Sequence, residues 1–258
     1  MEKDSEITVR LRGYFGGYTR QKMIIRDVNL EFRSQTVTAI LGPNGAGKST
    51  LLRAMMGQIA HHRGEVEIEG RDIDDITARE LAKTVATASG VREITDITAL
   101  AYTLLGRTPY RSLLALRDSE EDIAAAMEAL RNVGIEGLAS QKTGEMSDGQ
   151  RQLTSIARAL AQEPHILLLD EPTANLDPAN QHRVLKKIVE MTKALHLTTI
   201  MTIHDTTAAW QWADEAVLMR DGKVATHGPT KSTMTEANLS ATFNVPFAPT
   251  VTLLPTDR

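Results

Sequence analysis

Residues Gly42-Pro43-Asn44-Gly45-Ala46-Gly47-Lys48-Ser49-Thr50 satisfy every fixed position of the pattern G-x-x-x-x-G-K-[ST]. The apolar run Val37-Thr38-Ala39-Ile40-Leu41 precedes them and Leu51-Leu52-Arg53-Ala54-Met55-Met56 follows, so a buried strand feeds a glycine-rich loop that opens a helix. That order commits the chain to an α/β fold, because such a loop works at the carboxyl end of a strand. Glycine allows the reversed backbone that turns successive N–H groups toward an anion. The stretch therefore reads as a nucleoside triphosphate site. Lys48 would reach the β- and γ-phosphates, and the Ser49 hydroxyl would ligate Mg²⁺.

The complementary chemistry lies downstream in His165-Ile166-Leu167-Leu168-Leu169-Asp170-Glu171-Pro172. Four consecutive apolar residues bounded by turn formers suggest a strand buried on both faces, with Asp170 at its carboxyl end. There Asp170 can hold Mg²⁺ through water, and Glu171 can polarise the water that attacks the γ-phosphate. A carboxylate pair that merely caps a helix would not explain its occurrence together with a phosphate loop.

Met146-Ser147-Asp148-Gly149-Gln150 lies ahead of a helical stretch with Leu153, Ile156, Ala157 and Leu160 on one face. It resembles L-S-G-G-Q, the signature sequence of ATP-binding cassette (ABC) proteins. Thr173-Ala174-Asn175-Leu176-Asp177 resembles their D-loop, and His204, ending the strand Thr198 to Ile203, resembles their switch histidine. Five motifs in one order identify the chain as a member of that family. The resemblance implies a P-loop NTPase fold of the ABC type, with a RecA-like core, an antiparallel β-subdomain and a helical subdomain. Residues 1–258 would form one ABC ATPase domain: about 1–80 and 150–228 as core with β-subdomain, about 81–149 as helical subdomain, and about 229–258 as a tail. Tyr18 sits about where the family places an aromatic that stacks on adenine, and Tyr14 is the competing choice.

Composition limits the alternatives. With 41% hydrophobic and 24% charged residues, 258 residues can bury a full core in one domain. The longest apolar runs are strand length, short of the roughly 18 residues that span a bilayer, and Met1-Glu2-Lys3-Asp4-Ser5-Glu6 is too charged for a signal peptide. The expectation is a cytoplasmic protein that meets a membrane only through partners. A net charge of −4 without a long basic block argues against nucleic-acid binding. The absence of cysteine excludes disulfides and thiolate metal sites.

Period-two patterning in Val28 to Phe32 and Val66 to Glu69 marks half-exposed antiparallel strands. His61-His62-Arg63-Gly64 reads as a solvated loop. From about Leu81 to Gly149 the pattern is helical, with a capping box at Asp118 and Glu121, an apolar stripe of Ile123, Met127, Leu130 and Val133, and a stop at Gly134. Asp177 as N-cap and Pro178 at the first helical position start another helix, bearing Val184, Ile188, Met191 and Leu195. Val217 to Val224 signals a hairpin turning at Asp221-Gly222. After about Gly228 the signals are mixed.

Leu105-Gly106-Arg107-Thr108-Pro109-Tyr110, the helix start Ser119-Glu120-Glu121-Asp122, His204-Asp205 and Thr242-Phe243-Asn244-Val245-Pro246 narrow the resemblance to the ATPase subunits of iron-siderophore, haem and cobalamin importers. In that group two ATPase copies sit beneath two transmembrane permease subunits on the cytoplasmic face, fed by an external substrate-binding protein. Each Mg²⁺·ATP would lie between Gly42 to Thr50 of one copy and Ser147, Gly149 and Gln150 of the other. His204 would contact the γ-phosphate, and Asp177 would communicate between the sites. Residues from Val85 to Arg111, with Arg107 and Arg111, would meet the permease. Two departures stand out: Asp148 replaces the first signature glycine, and Ser89 or Gly90 stands near the place of the family's usual glutamine. The rival reading is a non-transport cassette ATPase clamping nucleic acid, which lacks support because no coiled-coil insertion appears between Glu65 and Asp170.

Overall fold

The computed structural model describes residues 7–19, 22–89, 96–111 and 117–248. In chain order the first elements are β1 (Ile7–Thr19), β2 (Lys22–Arg33), β3 (Val37–Leu41), α1 (Lys48–Ala54), β4 (Ala60–Ile68), β5 (Arg71–Asp72), α2 (Ala78–Thr84), β6 (Val85–Ser89) and α3 (Ala99–Leu104). They continue with α4 (Glu120–Asn132), α5 (Asp148–Leu160), β7 (Ile166–Asp170), α6 (Pro178–Ala194), β8 (Thr198–Thr202), α7 (Thr206–Trp212), β9 (Glu215–Arg220), β10 (Lys223–Pro229), α8 (Thr230–Thr233) and α9 (Glu236–Phe243). Two compact units result, one of Met1–Ile76 with Thr198–Arg258 and one of Thr77–Leu197.

The first unit holds two sheets. The antiparallel one runs β2-β1-β4-β5, and alternation decides its faces: Val28, Leu30 and Phe32 point inward while Asn29 and Glu31 stay exposed. Arg10 bridges Glu31 (2.8 Å) and Glu67 (3.0 Å) on the outer face, a network that contributes little in water. His61 and His62 lie on the backbone of β4, where His61 pairs with Gly16, so this stretch is strand rather than loop. Pairing with the glycine-rich part of β1 extends β4 beyond its apolar pattern.

In the second sheet β3 runs parallel to both β8 and β9, and β10 returns antiparallel along β9. All five residues of β3 and of β8 are buried, which is why both read as continuous runs without alternation. The β9–β10 turn is Asp221-Gly222 with φ of 51° and 77°, as a two-residue hairpin of this twist requires. The tail is ordered further than its sequence suggested: α8 and α9 pack back on β9, and Phe243 meets Phe247 at 5.6 Å between ring centroids.

The second unit combines a parallel pair, β6 and β7, with a helical layer in which α5 packs on β6, α3 and α4. Within 81–149, Val85–Ser89 departs from the expected helix, since the Ala-rich segment gains its pairing only from β7. Ser119 caps α4 in place of Asp118: its hydroxyl accepts from the Asp122 N–H (3.1 Å) and the Asp122 carboxylate accepts from the Ser119 N–H (3.4 Å). The buried face of α4 accordingly comprises Asp122, Ala126, Ala129 and Leu130, and Ile123 is 41% exposed. Gly134, with φ of 77°, follows the helix end as expected. Asp177 and Pro178 start α6 as expected, with Val184, Ile188 and Met191 buried but Leu195 largely exposed.

Arg107 explains the shifted face. It is 1% exposed, so it is a folding residue and not a surface contact. Its guanidinium donates to Asp122 Oδ1 (2.9 Å), the Ala161 carbonyl (2.8 Å) and Glu163 Oε2 (2.7 Å), and it stacks 3.9 Å from the Tyr110 ring centroid. Arg111 is likewise engaged, in an ion pair with Asp118. Burial opposes ionisation of Asp122, yet the bonds from Arg107 and Ser119 outweigh it and hold the carboxyl below its ordinary range.

Breaking a buried pair by removing one partner costs about 3–5 kcal/mol, so Arg107→Leu should lower stability by that order in urea unfolding at neutral pH. A depressed carboxylate pKa contributes stability above the unfolded value, near 4, and loses it as pH falls through the folded value. The stability gap between the two proteins should therefore narrow below about pH 4. A gap that is constant from pH 7 to pH 3 would show that the Asp122 charge is not what Arg107 holds.

Candidate functional site

The phosphate loop leaves the buried end of β3 and must reverse direction at once. Gly42, Gly45 and Gly47 take φ of 153°, 81° and 100°, conformations that side chains resist. A Cβ at Gly42 would lie 2.1 Å from the Met219 carbonyl, so that position tolerates no side chain. Asn44 and Gly45 form the exposed rim, Pro43 and Ser49 are half-buried, and Ala46, Gly47, Lys48 and Thr50 are buried. Lys48 is 6% exposed, and its ammonium donates to the carbonyls of Gly42 (2.8 Å) and Pro43 (3.2 Å), which keeps the charge inside the loop.

A contact that sequence reasoning missed supports the loop from behind. The hairpin residue Gly222 donates its N–H to the Ala46 carbonyl (3.1 Å) and accepts from the Arg26 N–H (2.8 Å). Its Cβ would stand 1.8 Å from the Ile24 carbonyl. The Asp-Gly pair signalled a turn, but nothing local signalled what the turn touches.

The two candidate tyrosines are separated clearly. Tyr14 is 1% exposed, and burial, with the nearby charge of Asp74, pushes its phenol up to about 12. Tyr18 is 48% exposed beside the loop: its hydroxyl lies 3.5 Å from Thr50 Oγ1 and accepts from Arg53 Nη1 at 2.9 Å. Of the two only Tyr18 is exposed, and the Arg53 guanidinium lies 5.7 Å from its ring centroid. His204 follows β8 and is exposed, while Asp205 caps α7 through the N–H groups of Thr207 (2.8 Å) and Ala208 (3.1 Å). Because Ile40 of β3 pairs with Thr202 of the parallel β8, the loop and His204 leave the same, carboxyl end of these strands.

In the second unit Asp170 ends β7 half-buried, and Glu171 follows with φ of 51°. A non-glycine residue held there stores about 1–3 kcal/mol of strain, a feature common where side-chain aim matters. Ser89 lies opposite Asp170 in the β6–β7 register, and its carbonyl accepts from Ser155 Oγ at 3.0 Å. Gly90, the other candidate at that place, lies outside the described residues. Asp177 accepts from the Asn180 N–H (3.0 Å) and from Asn180 Nδ2 (2.5 Å), bonds that hold its carboxyl below the ordinary range.

Ser147 and Gln150 close a reciprocal cap on α5: Ser147 Oγ accepts from the Gln150 N–H (3.3 Å), and Gln150 Oε1 accepts from the Ser147 N–H (2.9 Å). Asp148 turns outward, two-thirds exposed, and pairs with Arg151. Gly149 lies bare against Asn180.

Residues 25–174 match the ABC transporter family. The chain belongs to that family. It is an ATP-binding, ATP-hydrolysing domain of the ABC type. It is 36% identical over 232 residues to the hemin import ATP-binding protein of Methylobacillus flagellatus, covering 87% of this chain and 85% of the relative. To the ferric enterobactin transport ATP-binding protein of Escherichia coli K12 it is 34% identical over 237 residues, 90% of this chain and 86% of that one. A solved ABC transporter described as of metal-chelate type, in an inward-facing conformation, superposes with a TM-score of 0.81 at 27% identity, covering 93% and 90% of the two chains.

Gly42→Ala should abolish ATP binding by the isolated ABC domain, since its methyl would meet the Met219 carbonyl and the strained φ costs about 1–3 kcal/mol. Equilibrium binding of a fluorescent ATP analogue, read beside the unfolding midpoint, checks this. Undiminished affinity would mean that the loop adopts another backbone.

Proposed function

We propose that this chain is the ATP-hydrolysing subunit of an ABC importer, energising uptake of a metal chelate such as an iron-siderophore, haem or cobalamin. The observation that carries the reading is likeness along most of both chains to proteins named for hemin and ferric enterobactin import. Among the described residues no helix is long and apolar enough to cross a membrane, which suits a subunit docked on separate permease subunits at the cytoplasmic face. The helical subdomain, about 81–149, would meet the permease, and an external binding protein would deliver the chelate. No nucleic acid is expected as partner, and no clamp-like insertion favours the rival reading.

Two copies would close on two ATP molecules. Gly42 to Thr50 would wrap the phosphates of one ATP, with Lys48 on the β- and γ-phosphates and Tyr18 against adenine. Ser147, Gly149 and Gln150 of the second copy would complete the site. Mg²⁺ would be held by the Ser49 hydroxyl and the Asp170 carboxylate, a small oxygen set of the kind this ion takes with water and phosphate, and would neutralise phosphate charge. Glu171 would take a proton from the attacking water, His204 would contact the γ-phosphate, and Asp177 would link the two sites. The Ser89 hydroxyl, in register with Asp170, would stand where the family's glutamine usually does. ATP favours the closed pair because only that state offers it both surfaces, and hydrolysis releases the pair.

Glu171→Gln should bind Mg²⁺·ATP normally, lose at least about 10²-fold in turnover, and elute as a dimer in size-exclusion chromatography with Mg²⁺·ATP. Near-normal hydrolysis would remove Glu171 from the role of base. A second expectation concerns Asp148. At about 6 Å from a phosphate charge it would cost about 3 kcal/mol at an effective dielectric near 20, but under 1 kcal/mol in water. Its exposure and its pairing with Arg151 favour the lower figure. In the Glu171→Gln background, Asp148→Asn should tighten ATP-driven dimerisation by no more than about tenfold, because the closed pair contains the contact twice at about 0.7 kcal/mol each; weaker dimerisation would show that Asp148 makes a favourable contact in the closed pair.

A further inference from the structure

The signature turn and the start of α6 touch through one side chain that neither motif includes. A Cβ on Gly149 would lie 2.7 Å from Oδ1 and 2.9 Å from Cγ of Asn180, so the Asn180 amide rests on bare backbone at the first turn of α5. The other end of that amide is tied down, since Nδ2 donates to Asp177 Oδ2 at 2.5 Å. The orientation follows from chemistry: an ionised carboxylate only accepts, so the nitrogen must face Asp177 and the oxygen Gly149. Capping α6 requires only the Asn180 N–H, which already donates to Asp177 Oδ1 at 3.0 Å. The side-chain bond and the contact with Gly149 are additional to the cap.

We propose that Asn180 is a positioning residue, a spacer that holds Ser147 to Gln150 at a fixed distance from Asp177 so that the two move as one body. The inference rests on the reading of an ATP-sandwiched dimer, in which both segments of one copy face the other copy. A preset spacing lowers the ordering that closure must bring about. Without Asn180 each segment keeps its own internal bonds, the Ser147–Gln150 cap and the backbone cap by Asp177, but their separation is no longer fixed. The loss should therefore appear in steps that need both ATP sites, and not in nucleotide capture by one phosphate loop. The contact also accounts for glycine at 149, where any side chain would push the amide off Asp177.

The test compares the full chain with Asn180→Ala and Asn180→Leu. Alanine removes both contacts, and leucine keeps the bulk against Gly149 while losing the donor to Asp177. Steady-state ATP hydrolysis should show kcat reduced about ten- to a hundredfold in both variants, with the Hill coefficient for ATP falling from near two toward one. Urea midpoints and binding of a fluorescent ATP analogue to the monomer should be unchanged. Cooperative hydrolysis in both variants at a kcat within about twofold of the parent would overturn the proposal. Parallel loss of stability and nucleotide binding would also overturn it, by making Asn180 an ordinary structural residue. If the parent chain is itself non-cooperative and its Glu171→Gln form stays monomeric in Mg²⁺·ATP, the sandwiched-dimer reading fails and takes this inference with it.

Discussion

Two backbone hydrogen bonds made by Gly222, one to Ala46 and one from Arg26, hold the phosphate loop against the strands behind it. The loop needs such a hold because its glycines resist no other conformation. Positive φ at Gly42, Gly45 and Gly47 permits the wrapped shape but does not enforce it. Enforcement comes from contacts: the Met219 carbonyl at Gly42, the Ile25 side chain at Gly47, and the β9–β10 turn at Ala46. A nucleotide that binds such a loop finds its N–H groups already set, so little affinity is lost to ordering. The parallel sheet matters chiefly because it brings β9 beside β3 and so delivers Gly222 to this place.

In the second unit, α5 has an equivalent importance. Its first turn carries Ser147 to Gln150, and its far end lies at the Ala161 carbonyl, which Arg107 binds together with Asp122 and Glu163. A fully buried guanidinium is tolerable only when its donors are satisfied, and here three acceptors and an aromatic face serve it. Such a cluster has few alternative geometries, and it ties the far end of α5, at the Ala161 carbonyl, to Asp122 on α4.

Much of this was legible in the sequence wherever the determinant is local. The phosphate loop, the strand before Asp170, the Asp177-Pro178 helix start and the Asp221-Gly222 turn each carry their signal within a few residues, and each is found where expected. The misses share a cause in long-range partners. Asp118 with Glu121 and Ser119 with Asp122 are equally good capping boxes on paper, and Arg107, 15 residues upstream, selects the second by binding Asp122. Arg107 read as a surface residue because its buried partners, Asp122 and the Ala161 carbonyl, lie 15 and 54 residues away. His61-His62 read as a turn because the strand there exists only through pairing with β1. Asn180 carried no signal at all, since its meaning comes from Gly149 on a different helix.

The central claim is that one ATP site is built from two copies of the chain, and a mixing experiment tests it most directly. On this proposal Lys48→Ala and Ser147→Arg would each disable both sites of a homodimer, by different halves, whereas a mixed dimer would contain one site with Lys48 and Ser147 both intact. Single-turnover hydrolysis of Mg²⁺·ATP should be absent from either variant alone and should appear on mixing, in proportion to the mixed dimer formed. A mixture as inactive as its components would contradict the account.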